Sequence, residues 1–116
     1  MKVILDTNVF VAGVFFAGPP YAILNAWRRG RLQLVVSAAI LEEYRRVGDQ
    51  LGQEFPAVDA QPSFDLLAVH AQVIEAPPLP AQVCSDPDDD KFLSCAVASN
   101  TGASGTLLAI GCIALC

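Results

Sequence analysis

One histidine, one methionine and one tryptophan are all that this 116-residue chain holds of those residue types, and no charged side chain follows Lys91. The sequence has no G-x-S-x-G elbow and no phosphate-binding glycine loop, so serine hydrolysis and nucleoside-triphosphate chemistry lack their signatures. His70 stands in an apolar stretch and reads as a packed or surface residue rather than a base. The cysteines, Cys84, Cys95, Cys112 and Cys116, show no C-x-x-C spacing. Free buried thiols are therefore expected in preference to zinc ligands or disulfides. The opening "MKVILDTNVF" is interrupted at Asp6 and has no signal-peptide h-region, and the terminal "LLAIGCIALC" is too short to span a bilayer. The expectation is a cytoplasmic protein without a membrane partner. Its last segment reads as a core strand, a core helix or a partner-covered surface.

What is present supports one compact domain over residues 1–116. Hydrophobic residues make up 53% of the chain, enough for a sizeable core, and charged residues are too few for a disordered segment. The net charge of −5 argues superficially against binding a polyanion. Its distribution matters more. Arg28, Arg29, Arg31, Arg45 and Arg46 lie in one short window, whereas Asp86, Asp88, Asp89 and Asp90 crowd just ahead of an apolar run. A basic surface beside an acidic pocket suits an anionic substrate held near metal ions; a solvated arginine face is the plainer alternative.

The hydrophobic patterning alternates between strand and helix. "KVILD" reads as a strand buried on both faces, with Asp6 at its carboxyl end. "TNVFVAGVFFAG" is a further apolar segment. "PPYAILNAWRRG" opens on prolines, spaces Ile23, Leu24 and Trp27 as a helix and stops at Gly30. "LQLVVS" predicts a second strand, and Ser37 is placed to cap a helix over "AAILEEYRRV" with the stripe Ile40, Leu41, Tyr44 and Val47. A helix near "SFDLLAVHAQ", a short strand "VIEA", a stiff "PPLP" connector and a helix over "KFLSCAVAS" follow. Phe92, Leu93, Ala96 and Val97 form that last helix's expected apolar face. Such alternation implies an α/β layered fold with parallel pairing, in which sites form at the carboxyl ends of the strands.

Three acids acquire a geometry on this plan. Asp6 ends the first strand. On a helical wheel Glu43 borders the apolar stripe, while Glu42 points away and is placed to pair with Arg46. Asp90 borders the stripe of the last helix, with Asp88 or Asp89 as its expected cap. Hard divalent cations take oxygen ligands from separate elements and can activate water against a phosphodiester, which is hydrolysis without a nucleophilic side chain. A calcium loop through Asp86, Asp88 and Asp90 fails, because Lys91 stands where that loop needs glycine and Val97 where it needs glutamate.

"ILDTNVFVAG", "SAAILEEYRRV" and "SDPDDDKFLSCAVAS", in this order and spacing, resemble the PIN-domain family. The likeness is to bacterial PIN proteins that serve as toxin components of toxin–antitoxin systems, and it covers residues 1 to about 100. It implies a three-layer α/β/α fold around a central parallel sheet and a Mg²⁺- or Mn²⁺-dependent ribonuclease. By the same resemblance Asp6, Glu43 and Asp90 are the metal-holding catalytic acids. Asn8 and Ser37 match polar positions lining the pocket, and Asp86, Asp88 and Asp89 belong to the matching motif without an assigned ligand role. The five arginines become candidate RNA contacts. An antitoxin protein is the implied partner, and a homodimer through apolar helices is a further expectation.

From about residue 100 the chain departs from that pattern. Thr106 follows Ser104 and Gly105 where the resemblance calls for a fourth acid. That difference keeps a second class open, a catalytically weak PIN-like module that binds RNA or an antitoxin. A phosphohydrolase with Asp6 as nucleophile ranks lower, since Asn8 occupies the second position of a D-x-D pair.

Overall fold

The computed structural model describes residues 2–100 and 107–110. Its elements run β1 (Lys2–Leu5), α1 (Thr7–Phe15), α2 (Pro19–Arg28), β2 (Gln33–Val36), α3 (Ala38–Glu54), α4 (Gln61–His70) and β3 (Gln72–Val73). A 3₁₀ turn at Pro87–Asp89, α5 (Asp90–Asn100) and β4 (Leu107–Ile110) complete them. All pairings are parallel, in the order β3-β2-β1-β4. The expected α/β fold with a central parallel sheet is what the chain forms.

Burial explains why these stretches are strands. Val3, Ile4 and Leu5 are at most 1% exposed, and Leu34, Val35 and Val36 are fully buried. Successive strand residues point to opposite faces, so unbroken burial requires cover on both sides. That cover is helical, and the result is three layers. The chain steps from β1 outward to β2 and β3, then returns through α5 to β4 on the other side of β1. The reversal falls between β1 and β4, and in open parallel sheets a crevice forms at the carboxyl ends beside such a switch.

Local chemistry sets the helix ends. Ser37 is 4% exposed and accepts the Ile40 N–H at 3.3 Å as the N-cap of α3. Gly30 terminates α2 with φ of 74°, its N–H donating to the Trp27 carbonyl while the Arg31 N–H donates to that of Ala26. This double closure needs a left-handed residue, which glycine adopts without a Cβ penalty. The core joins the strands to Phe10, Leu24, Trp27, Ile40, Tyr44, Leu67, Phe92 and Cys95. Phe10 and Tyr44 stack at 4.3 Å between ring centroids, holding α1 against α3.

Several expectations need adjusting. The segment after Asp6 is a helix, α3 continues to Glu54, and α4 begins at Gln61. The strand expected over "VIEA" is only Gln72–Val73, followed by one more bond from the Ile74 N–H to the Val36 carbonyl. Val97 is 55% exposed, outside the face expected of it; α5 buries Phe92 as expected, and Cys95 with it. Cys84 is disulfide-bonded, contrary to the free thiol expected. Cys95 is free and buried. Among the described residues no single helix is long and apolar enough to cross a membrane.

Candidate active site at the carboxyl edge of the sheet

β1 delivers Asp6 to the edge where the strands end. The residue is 9% exposed and serves as the N-cap of α1, its Oδ2 accepting the Asn8 N–H at 3.1 Å. β2 ends at Val36, so the first turns of α3 rise from the same edge and carry Glu43 there. The Glu43 side chain is only 12% exposed. The Thr7 hydroxyl, next to Asp6 in sequence, donates to Glu43 Oε2. The other oxygen, Oε1, faces Lys91 Nζ at 2.8 Å and an Arg46 guanidinium nitrogen at 3.5 Å. Arg46 therefore pairs with Glu43, three residues back, and not with Glu42 as the helical spacing had suggested.

Tyr44 ties together the strand and the helix that carry the two acids. Its hydroxyl donates to the carbonyl of Leu5, and burial, then the charge of Asp6, with smaller effects of Cys95 and Glu43, pushes its pKa well above the usual phenol value. Tyr44 stays neutral and acts as a donor there.

Asp90 is held differently. It opens α5, but its Oδ1 accepts the Cys84 N–H at 2.8 Å and the Val83 N–H at 3.3 Å, and its Oδ2 lies 3.3 Å from that same Val83 N–H. The carboxylate organises the loop before the helix. Asp86, rather than Asp88 or Asp89, is the cap of the preceding 3₁₀ turn, accepting the Asp88 N–H at 3.0 Å. Asp86 and Asp88 are exposed, and Asp89 is partly buried. Asn8 is exposed above Asp6, while Ser37 is committed to capping α3.

Two adjoining hollows lie beside these groups. One of about 140 Å³ is lined by Ala39, Glu42, Glu43, Arg46 and Lys91. The other, about 320 Å³, has Asp90, Lys91 and Ser94 on one side and apolar Pro78 and Leu79 among its walls. Lys91 borders both and stands between Glu43 and Asp90.

The arginines do not form one surface. Arg28 donates to Ser63 Oγ at 2.7 Å, and Arg29 lines a hollow of about 330 Å³ with His70 and Trp27. With Arg31 they precede β2, at the edge where strands begin, roughly 13 Å from the carboxyl edge for a four-residue strand. Arg45 lies over the Phe64 ring at 5.6 Å. Of the five, Arg46 contacts a site acid, Glu43.

A family model for the PIN domain matches residues 2–103. The chain belongs to the PIN-domain family. No curated protein and no solved structure matches it. PIN domains are generally nucleases and typically use divalent metals. In this PIN domain the acids do not fit a shared ion as they are arranged: among the described residues no three of His, Cys, Asp and Glu are grouped to ligate one metal. Glu43 is neutralised by Lys91 and Arg46, and Asp90 is bound to main-chain amides. The position of the fourth acid, Thr106, lies outside the described residues.

Three contributors escaped the sequence reading. Thr7 was visible only as Asp6's neighbour, Tyr44 only as a member of the apolar stripe, and Lys91 as the single cation within an acidic run. That last oddity was the signal: a lysine following three consecutive aspartates has carboxylates within reach.

Proposed function

We propose that this PIN domain is an endoribonuclease dependent on Mg²⁺ or Mn²⁺, and the toxin of a toxin–antitoxin pair. The observation that carries the reading is that Asp6 and Glu43 meet at the carboxyl edge beside the sheet's switch point, Asp6 capping α1 and its neighbour Thr7 donating to Glu43. Within that frame the chain's own groups have definite tasks. The Asn8 N–H orients Asp6, the Thr7 hydroxyl orients Glu43, and the neutral Tyr44 phenol ties the two supporting elements together. Arg46 lies within reach of an RNA phosphate at this edge; Arg28, Arg29 and Arg31 would meet a longer RNA only on the opposite edge. The partner in this reading is a cognate antitoxin. The exposed rings of Phe16, Tyr21 and Phe55 offer an apolar surface for it or for a second copy of the chain.

A second reading, a catalytically weak module that binds RNA or an antitoxin, is favoured by the absence of a three-acid grouping among the described residues. Cleavage of a mixed RNA pool by purified protein, with Mg²⁺, Mn²⁺ or EDTA and beside Asp6→Asn, separates the two. Cleavage that requires metal and disappears in Asp6→Asn supports the ribonuclease. Folded protein that binds RNA but leaves it intact with either metal supports the binding module.

A further inference from the structure

The hollow of about 330 Å³ at the edge where strands begin draws its walls from α2, α4 and the start of β2, and no carboxylate lines it. Its volume falls at the small end of ligand pockets, which run about 300–1,000 Å³. Arg28 and Arg29 enter it from the end of α2 and His70 from the end of α4, with Trp27 and Leu66 as apolar wall. Cations in a last helical turn have a plainer use, since each favours the negative pole of its own helix. That accounts for Arg28 and His70 singly, but not for their meeting across one cavity with Arg29 beside them.

The Arg28 guanidinium is held in place. It donates to Ser63 Oγ at 2.7 Å and to Asn25 Oδ1 at 3.4 Å, and Ser63 is only 4% exposed. A guanidinium has more N–H donors than these contacts use, so the remainder are set for a ligand. Among the described residues Glu43 is the acid that pairs with cations, through Arg46 and Lys91, so neither Arg28 nor Arg29 faces a carboxylate. Lys2, opposite Gln33 in the β1–β2 register, starts at the same edge. With Arg31 it brings four of the chain's seven basic residues there, although the net charge is −5.

We propose that this hollow binds the terminal phosphate of a nucleotide, either a free nucleoside 5′-monophosphate or the 5′ end of an RNA. A phosphomonoester presents three acceptor oxygens and close to a double negative charge, and guanidiniums take such groups through paired hydrogen bonds. A carboxylate would leave donors idle. Trp27 and Leu66 give the nucleoside an apolar surface beside the phosphate. The hollow is at the opposite edge from Asp6 and Glu43, and filling it involves neither acid. The inference therefore goes beyond the ribonuclease reading and does not rest on it.

Trp27 is the chain's only tryptophan, so its fluorescence reads this hollow directly. The test titrates purified protein in EDTA with 5′-AMP, adenosine and inorganic phosphate, with calorimetry as a second measure of binding. 5′-AMP should saturate and bind roughly tenfold or more tightly than either of the others, as charge-assisted bonds to one end and burial of the other require. Arg29→Gln removes a side chain with no ion pair among the described residues and should weaken 5′-AMP by roughly tenfold. Arg45→Gln makes the same charge change over the Phe64 ring and should not. Circular dichroism checks that both variants fold. No binding of 5′-AMP by either measure, adenosine or phosphate binding as tightly as 5′-AMP, or unchanged affinity in Arg29→Gln overturns the proposal. Displacement of 5′-AMP by a 5′-phosphorylated oligoribonucleotide assigns the site to RNA ends, and failure to displace assigns it to free nucleotide. Equal displacement by the 5′-hydroxyl oligoribonucleotide also overturns the proposal, because internal phosphodiesters would then suffice. None of these readouts uses cleavage, so the ribonuclease reading stands or falls separately.

Discussion

The Tyr44 hydroxyl donates to the main-chain carbonyl of Leu5, the last residue of β1, so the helix bearing Glu43 is tied to the strand that delivers Asp6. Both groups are fully buried, and the ring's stack on Phe10 fixes its direction. Tyr44→Phe keeps the ring and removes the donor, and losing such a hydrogen bond costs about 0.5–1.5 kcal/mol. Urea unfolding should report that loss. If Tyr44→Phe matches wild type in midpoint, the bond does not hold α3 to β1.

Thr7 makes a more selective prediction. Its hydroxyl orients Glu43, while its place at the start of α1 asks only for a residue that tolerates burial. Thr7→Val preserves the shape and frees Oε2. Losing a group that orients a site carboxylate typically costs roughly 10- to 100-fold in activity or metal affinity. RNA cleavage by Thr7→Val should fall by that order with little change in melting temperature, provided wild type cleaves. A variant as active as wild type would remove Thr7 from the site.

Much of this architecture was legible because single residues carried it. The unbroken apolar runs in β1 and β2 follow from burial on both faces, Ser37 and Gly30 are local stop signals, and the α3 stripe sorts Glu43 inward from exposed Glu42. What escaped depends on distant partners. β3 is two residues long, too short for any period. The bond from Asp90 to the 83–84 amides needs the loop folded back on α5. The arginines look contiguous in sequence, yet the length of β2 and the turn of α3 send them to different edges. The aspartates before Lys91 hint at a carboxylate contact, but nothing local says that the contact is on α3, or that Val97 turns outward while Cys95 turns in.

Alkaline pH should destabilise the fold. Burial pushes the Cys95 thiol from 9.0 up to about 11, and burial with nearby charge raises Tyr44 well above 10.0. Both groups are neutral in the folded state and ionise more readily when unfolded. Their contribution is complete below the unfolded values and is lost as pH rises through the folded ones. For Cys95 the loss falls between pH 9.0 and about 11. Urea midpoints should therefore hold between pH 7 and 8.5 and decline above 9, and Cys95→Ala should flatten part of that decline. The native thiol should also resist alkylation at pH 8, whereas the urea-unfolded chain reacts. Rapid labelling of Cys95 in folded protein would contradict its placement.

The close approach of α1 and α2 can be tested at Gly13. A Cβ there would lie 2.7 Å from the Pro20 carbonyl oxygen and 2.7 Å from a Leu24 methyl carbon. Leu24 is fully buried and the carbonyl belongs to the backbone, so relief requires the helices to separate rather than a side chain to rotate. Overpacking of this kind costs typically about 1–3 kcal/mol, against less than 1 kcal/mol gained from alanine's better helix propensity. Gly13→Ala should thus be net destabilising despite lying within a helix, with the deficit growing in Gly13→Val. Gly52, near the end of α3, has nothing within 4 Å of a built Cβ and serves as the control. Gly52→Ala should stabilise slightly in the same urea series. Equal gains at both positions would mean that α1 and α2 are not packed this closely.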